Sequence, residues 1–292
     1  HSADLDGKIY GIEAGNDGNK LILDMIGKDA FGMKNIELVG GGLMPQLGLG
    51  TWQLRGADCA RVVRLALDLG YRHIDTAEMY ANEDDVGDAI AQSGVPRDQL
   101  FITTKIWPDH FQAKEARNAA ETSLRRLRID HVDLLLMHWP NPAVPLKETL
   151  GEMTKLLREG KARAIGVSNF STELMAQAIS ASSAPIACNQ VKFHVGLSQA
   201  DLLMAARARD IAITAYSPLG KGGLSRDATL ARIGEKHNKS AAQVALRWLI
   251  EQDGVSVIPK ASSERNLRAN LDIFDFALDD SDRAAIAEIR DA

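Results

Sequence analysis

The chain has 292 residues, of which 45% are hydrophobic and 25% are charged, as in a globular protein with a substantial core. Its formal net charge of -5 argues against the positive surface that nucleic acid requires. No apolar run is long enough for a transmembrane helix, and Cys59 and Cys188 lack the spacing of a metal site or a disulfide framework. We therefore expect a cytoplasmic protein with no nucleic-acid partner, no membrane partner and no bound metal.

Residues 1–34 differ in composition from the rest of the chain. They are rich in glycine and acidic residues, and they begin with His1-Ser2, a pair that resembles a tag remnant. We interpret them as an N-terminal extension, either native or left by expression, and we exclude them from the fold. Residues 35–292 are expected to form one domain.

The remainder predicts a hairpin followed by eight strand–helix units. Residues 36–39, three glycines and the segment from Leu43 predict the hairpin. Short apolar runs typical of buried parallel strands lie at 47–50, 73–75, 101–105, 132–137, 164–167, 187–190, 212–216 and 255–259. Helical patterns alternate with them, including 59–69, 115–127, 147–159 and 198–209, and Ser240 with Gln243 has the spacing of a capping box.

Eight such repeats predict parallel strands joined by right-handed crossovers. A (β/α)8 TIM barrel, with the hairpin closing its bottom, is the usual architecture, and an open doubly wound sheet is the alternative. Polar residues collect where the predicted strands end, which favours the barrel because those ends converge on one rim, where active sites of this fold lie. They include Asp75, Lys105, His138, Ser168, Asn169, Gln190, Tyr216, Ser217 and Lys260.

Four residues near these ends suit the reduction of a carbonyl group. The Tyr80 hydroxyl has an ordinary pKa of about 10, which a neighbouring Lys105 ammonium would lower, while Asp75 would keep the lysine charged. Tyr80 would then give a proton to the developing alkoxide, and His138 would hydrogen-bond the substrate oxygen. Each residue taken alone also fits a structural role, as a turn cap, a packing residue, a strand end or a core histidine. The prediction rests on their joint placement.

Several motifs resemble those of the aldo-keto reductases, in that family's order. They are His73-Ile-Asp-Thr-Ala-Glu-Met-Tyr80-Ala-Asn-Glu83, Asp133-Leu-Leu-Leu-Met-His138-Trp-Pro, Gly166-Val-Ser-Asn-Phe170 and Ile258-Pro-Lys260. The resemblance covers about residues 36–292, and it implies that Tyr80 is the general acid, that Asp75 and Lys105 tune it, and that His138 positions the carbonyl. The segment Phe101-Ile-Thr-Thr-Lys-Ile-Trp107 resembles the bacterial branch of 2,5-diketogluconate and methylglyoxal reductases. We therefore expect a bacterial, monomeric reductase of sugar-derived keto acids or methylglyoxal.

No Gly-x-Gly-x-x-Gly motif opens the barrel, so we do not expect a Rossmann site. The resemblance implies NADPH (NADP+) as the cofactor, held in a different arrangement. Ser168, Asn169 and Gln190 would bind the nicotinamide amide, and Tyr216 would stack on its ring. The segment Ser217 to Gly223, with Leu219, would wrap the pyrophosphate with backbone N–H groups. Lys260 and Arg265 would bind the phosphate that separates NADPH from NADH, and Asn270 would lie near the adenine. Arg265 is offset by one position from the family's usual place, so NADH is the alternative cofactor.

Three tryptophans resemble the pocket-lining positions of the family: Trp52, Trp107 and Trp139, with Phe111 as a weaker candidate. Two other classes of function stay open. A cofactor-binding regulatory subunit, like the barrel-fold partners of potassium channels, would bind the nucleotide without ordinary turnover. A metal-dependent barrel hydrolase would need more ligands than His138 and Asp75 provide.

Overall fold

The computed structural model describes residues 32–290, so nearly all of the predicted extension lies outside the described residues. Within them, β1 (Asn35–Glu37) and β2 (Leu43–Pro45) form an antiparallel hairpin. Eight further strands follow: β3 (Leu49–Gly50), β4 (His73–Asp75), β5 (Phe101–Ile106), β6 (Val132–Met137), β7 (Ala162–Ser168), β8 (Ile186–Lys192), β9 (Ala212–Tyr216) and β10 (Val255–Val257). Each predicted strand is confirmed to within two residues at either end.

Helices alternate with these strands as the sequence predicts. They are α1 (Gly56–Asp68), α2 (Glu83–Gln92), α3 (Ala113–Leu127), α4 (Leu146–Arg158), α5 (Thr172–Ala181), α6 (Ala200–Arg207), α7 (Ala228–His237), α8 (Ala241–Ile250), α9 (Glu264–Leu271) and α10 (Asp280–Ala287). The capping box is confirmed at the start of α8, where Ser240 and Gln243 bond each other's backbone N–H groups. None of the helices between residues 32 and 290 is long and apolar enough to cross a membrane.

The eight parallel strands follow chain order around the sheet, from β3 to β10. The last strand also bonds the first. The Val257 N–H donates to the Gln46 carbonyl oxygen at 2.8 Å, and the Gly48 N–H donates to the Val257 carbonyl oxygen at 2.8 Å. These bonds close the sheet into the predicted (β/α)8 barrel, so the open-sheet alternative is wrong.

The hairpin closes the bottom of the barrel, as predicted. Leu38 and Met44 are buried with side chains that point into the barrel interior, among them Phe101, Leu134 and Cys188. A larger apolar cluster lies between the strands and the surrounding helices. Mostly apolar side chains fill the lower barrel, where the Thr214 and Ser256 hydroxyls lie against Met44 Sδ. The residues at the carboxyl ends of the strands line the opposite rim.

Strands β7 and β8 approach so closely at Gly166 that only glycine fits. A Cβ atom there would overlap the Cys188 carbonyl oxygen and lie 2.8 Å from a methyl group of Leu136. The register of β7 against β8 shifts at the same place, between Ile165 and Val167. The glycine that opens the Gly166-to-Phe170 motif is thus required by packing.

We predict that Gly166→Ala lowers the free energy of unfolding by about 1–3 kcal/mol, the usual cost of overpacking a core. Gly151→Ala is the matched control, because a Cβ at this helical position meets nothing within 4 Å and alanine favours a helix. Thermal unfolding of both variants measures the difference. An unchanged melting temperature for Gly166→Ala would contradict the packing argument.

Candidate active site

Side chains from six strands meet at the carboxyl-end rim of the barrel. Asp75, Ser168 and Tyr216 are the last residues of β4, β7 and β9, and Lys105 is the penultimate residue of β5. His138 directly follows β6, and Gln190 lies in β8. Parallel pairing places these ends at one edge, so residues far apart in sequence surround a common space.

A buried ion pair lies at the centre of this rim. Lys105 Nζ donates to Asp75 Oδ1 at 2.6 Å and to the Thr76 carbonyl oxygen at 2.8 Å. The second carboxylate oxygen of Asp75 accepts from Gln190 Nε2 at 2.7 Å. Both charged side chains are almost completely buried. Every strong polar interaction of the pair is therefore made inside the protein, as buried charges require.

The Tyr80 hydroxyl lies 3.5 Å from Lys105 Nζ. Tyr80 ends a short 3-10 turn, Glu78–Tyr80, that follows β4, and Ala81 after it takes the left-handed conformation at φ 52°. Arg55 donates to the Tyr80 carbonyl oxygen at 3.0 Å, so the backbone of the turn is held from the β3–α1 loop. The hydroxyl and the ammonium group thus face each other in a fixed arrangement.

Burial raises the pKa of the Tyr80 hydroxyl, although Lys105 acts in the opposite direction. The sequence predicts a net lowering, and the structure corrects this because desolvation of the phenolate outweighs the attraction of the ammonium group. Burial alone would lower the pKa of Lys105, but Asp75 and Tyr80 raise it above its ordinary value. Tyr80 is therefore a protonated phenol beside a charged lysine.

His138 presents a neutral imidazole to the same space. Burial, followed by the charge of Lys105, lowers its pKa to about 3. Its Nδ1 atom is buried and has no hydrogen-bond partner among the described residues. The ring makes edge-to-face contacts with Tyr80 at 5.6 Å and with Trp107 at 5.2 Å between centroids. Aromatic packing therefore orients His138.

The residues expected at the nicotinamide form a chain of hydrogen bonds beside the ion pair. Tyr216 donates its hydroxyl hydrogen to Asn169 Oδ1 at 2.8 Å, and Asn169 Nδ2 donates to Ser168 Oγ at 3.1 Å and to the His138 carbonyl oxygen at 3.0 Å. Ser168 Oγ in turn donates to the Gln190 carbonyl oxygen at 2.8 Å. The structure thus brings all four together, with the half-buried Tyr216 ring at the mouth of the barrel.

The segment from Ser217 to Gly223 consists of tight turns. Ser217, Gly220, Lys221 and Gly222 all have positive φ angles. The N–H groups of Gly220 and Gly222 already donate within the segment, to the carbonyl oxygens of Ser217 and Leu219. Wrapping of a pyrophosphate by these N–H groups would therefore require the turns to open.

Lys260 and Arg265 lie beyond β10 and on α9, and both are exposed. Neither forms an ion pair with another residue between 32 and 290. Arg268, on the same helix, pairs instead with Glu264 at 2.7 Å. Asn270 differs from both cations, because its side chain is buried. The Tyr71 hydroxyl donates to the carbonyl oxygen of Leu267 on the same helix at 3.0 Å.

Aromatic side chains surround the mouth of the barrel. Trp52 and Trp139 are each 42% exposed. Exposed apolar side chains that lie together mark a surface that can bind a ligand. Trp52 packs on Tyr80 with 4.9 Å between ring centroids. A cavity of about 510 Å³ opens beside Trp139 and Asn169. Phe111 is fully buried in the core, so its prediction as a pocket residue is wrong.

Sequence reasoning missed the residues that hold the Tyr80 turn in place. Asn82 accepts from Thr76 Oγ1 at 2.9 Å and donates to the carbonyl oxygens of Thr51 and Leu54, both at 2.9 Å. Glu78 accepts from the backbone N–H of Trp107. Both residues lie within the motif that contains Tyr80, but no periodicity or spacing distinguishes them from solvated polar residues.

Comparison with known proteins agrees with this geometry. The model of the Aldo/keto reductase family matches residues 46–291. Methylglyoxal reductase DkgB of Salmonella typhi is 42% identical over 249 residues, 84% of this chain and 93% of that protein. A solved structure described as a 2,5-diketo-D-gluconic acid reductase B is 43% identical, with a TM-score of 0.86 over 89% of this chain and 92% of that one.

A further solved relative was crystallised with a nicotinamide cofactor. This aldo-keto reductase, AKR2E5 complexed with NADPH, is 34% identical and has a TM-score of 0.83, with 88% of each chain covered. The family model, the relatives and the barrel all lead to one assignment, and they agree with the resemblance to the bacterial branch. The chain belongs to the aldo/keto reductase family of oxidoreductases.

Proposed function

We propose that this protein reduces aldehydes and ketones to alcohols with NADPH, and that Tyr80 donates the proton. One observation supports this most directly: a buried Lys105 ammonium lies 2.6 Å from Asp75 and 3.5 Å from the Tyr80 hydroxyl. Among residues 32–290, the Asp75 carboxylate accepts from the Lys105 and Gln190 side chains alone, so it is well suited to fix the lysine and poorly placed to attack a substrate. The arrangement serves proton transfer.

The chemistry follows from the charges of the site. A bound NADPH supplies the hydride for the carbonyl carbon. Negative charge then develops on the carbonyl oxygen, and the Tyr80 hydroxyl, protonated because it is buried, gives up its proton to that oxygen. Lys105 stabilises the phenolate that remains, and Asp75 holds the lysine in place.

His138 contributes in its neutral form. Because its pKa is lowered to about 3, the imidazole has one N–H donor and no charge at neutral pH. A neutral donor can orient the carbonyl oxygen without competing with Tyr80 as the acid. The contacts of His138 with Tyr80 and Trp107 keep it beside the reacting oxygen.

The residues present fit a phosphorylated dinucleotide. Lys260 and Arg265 are exposed cations whose charges are not neutralised by another described residue, as a site for a dianionic phosphate requires. Tyr216 offers a half-buried ring, and Ser168, Asn169 and Gln190 offer amide and hydroxyl groups beside it. Asn270 is buried, so we assign it a structural part in α9 as well as proximity to the adenine.

The substrates that we favour are small carbonyl compounds with polar neighbours, namely methylglyoxal and sugar-derived keto acids. Support comes from the relatives named for such activities and from the open mouth, where Trp52 packs on Tyr80 and Trp107 packs on His138. A monomeric state and a cytoplasmic location stay predictions.

We predict that Tyr80→Phe lowers kcat at least about a hundredfold while NADPH affinity stays unchanged, because only the proton donor is removed. NADPH oxidation with methylglyoxal measures turnover, and fluorescence titration measures binding. Tyr71→Phe is the matched control, since it also removes one buried tyrosine hydroxyl, but one that donates to the Leu267 carbonyl oxygen and is not paired with Lys105. Full activity of Tyr80→Phe would show that another group donates the proton.

We predict that neutralising Lys260 and Arg265 together weakens NADPH binding by about tenfold or more and leaves NADH binding nearly unchanged, because only NADPH has the extra phosphate. Arg268→Ala is the control, since this cation already pairs with Glu264 on the same helix. Titration of each variant with both nucleotides provides the comparison. Equal losses for the two nucleotides would exclude the assigned phosphate site.

A further inference from the structure

The Glu78 carboxylate connects the loop that contains Tyr80 to the loop that contains Trp107. Glu78 begins the 3-10 turn after β4, two residues before Tyr80. Its Oε1 atom accepts the backbone N–H of Trp107, the first residue after β5, and lies 3.0 Å from His110 Nδ1. One carboxylate oxygen therefore contacts both the Trp107 N–H, just before the short turn Pro108–His110, and the ring of His110 at its end.

Burial makes this connection tighter than a surface ion pair. The Glu78 side chain is only 10% exposed, whereas the His110 side chain is 50% exposed. The contact with His110 is accordingly open to solvent and weak. The bond from the Trp107 backbone is the more sheltered of the two, and a carboxylate acceptor makes it a strong one.

Trp107 is also part of the packing around the reacting groups. Its indole meets the His138 ring edge-to-face at 5.2 Å, and His138 meets Tyr80 at 5.6 Å. These contacts form a ring of four residues. Two residues of backbone join Glu78 to Tyr80, aromatic contacts join Tyr80 to His138 and His138 to Trp107, and the Glu78 carboxylate binds the Trp107 backbone N–H. Displacement of Trp107 would remove one wall of the mouth without disturbing the Lys105–Asp75 pair.

We propose that Glu78 is a positioning residue that fixes Trp107 as a wall of the substrate pocket and thereby adds affinity for those carbonyl compounds whose substituent reaches the indole, without acting on the small substrates proposed above. The proposal rests on the proposed reductase function. An aromatic aldehyde extends far enough from the reacting carbon to stack on the indole, whereas methylglyoxal has almost no apolar surface to place there. Loss of Glu78 should therefore act on the KM of the larger substrate.

The test compares Glu78→Ala with Glu78→Gln, whose amide oxygen still accepts the Trp107 N–H. We expect Glu78→Ala to raise the KM for an aromatic aldehyde by about tenfold, with kcat and the KM for methylglyoxal within about threefold of the wild type. Glu78→Gln should restore the wild-type KM. Asp109→Ala, an exposed change in the same turn, is the matched control. Equal changes for both substrates, or none, would overturn the proposal.

A second measurement reports the position of Trp107 without turnover. In protein labelled with 5-fluorotryptophan, the fluorine resonance of Trp107, assigned with Trp107→Phe, should shift in Glu78→Ala and stay in place in Glu78→Gln and Asp109→Ala. Glu78→Asp, which withdraws the carboxylate by one methylene, should shift it in the same direction and serves if the alanine variant does not fold. An unmoved resonance would overturn the link between Glu78 and Trp107. A wild-type protein that reduces no carbonyl would overturn the reductase function, while the fluorine shift would still decide the link.

Discussion

The ion pair between Lys105 and Asp75 is the interaction on which the rim of the barrel depends. Two opposite charges buried in a protein interior are stable only when their remaining hydrogen-bonding capacity is met. Here the Thr76 carbonyl oxygen and the Gln190 amide provide the remaining hydrogen bonds. The ion pair therefore connects β4, β5, β8 and the loop after β4. The location of a positive charge beside the Tyr80 hydroxyl is therefore a property of the fold, established before any ligand arrives.

Positive charge at this rim is divided between two environments with different consequences. Lys105 is buried and paired with Asp75, and its charge acts on the Tyr80 hydroxyl 3.5 Å away. Lys260 and Arg265 are exposed and unneutralised by the rest of the described chain, and they suit an incoming anion. The overall charge of -5 hides both features. Local arrangement, and not net charge, determines what the protein attracts.

The sequence predicted the barrel because its strands are short apolar runs bounded by polar turns, a pattern that parallel strands buried on both faces require. It also predicted that Asp75, Lys105, His138 and Tyr216 share a rim, since chain order fixes where parallel strands end. It failed where loop geometry decides. Phe111 follows the same strand end as Trp107 but turns into the core, and the tie from Glu78 to the Trp107 backbone depends on how two loops meet. The pKa of Tyr80 required the depth of burial, which no motif contains.

In the proposed function, the buried charge of Lys105 enables Tyr80 to act as the acid. The most direct test is the single-turnover rate of NADPH oxidation by Lys105→Met, which keeps a long apolar side chain and removes the charge. We expect a rate lower by about a hundredfold or more with the nucleotide still bound, because the phenolate left after proton transfer loses its stabilising cation. A wild-type rate in this variant would show that proton transfer does not depend on the charge of Lys105.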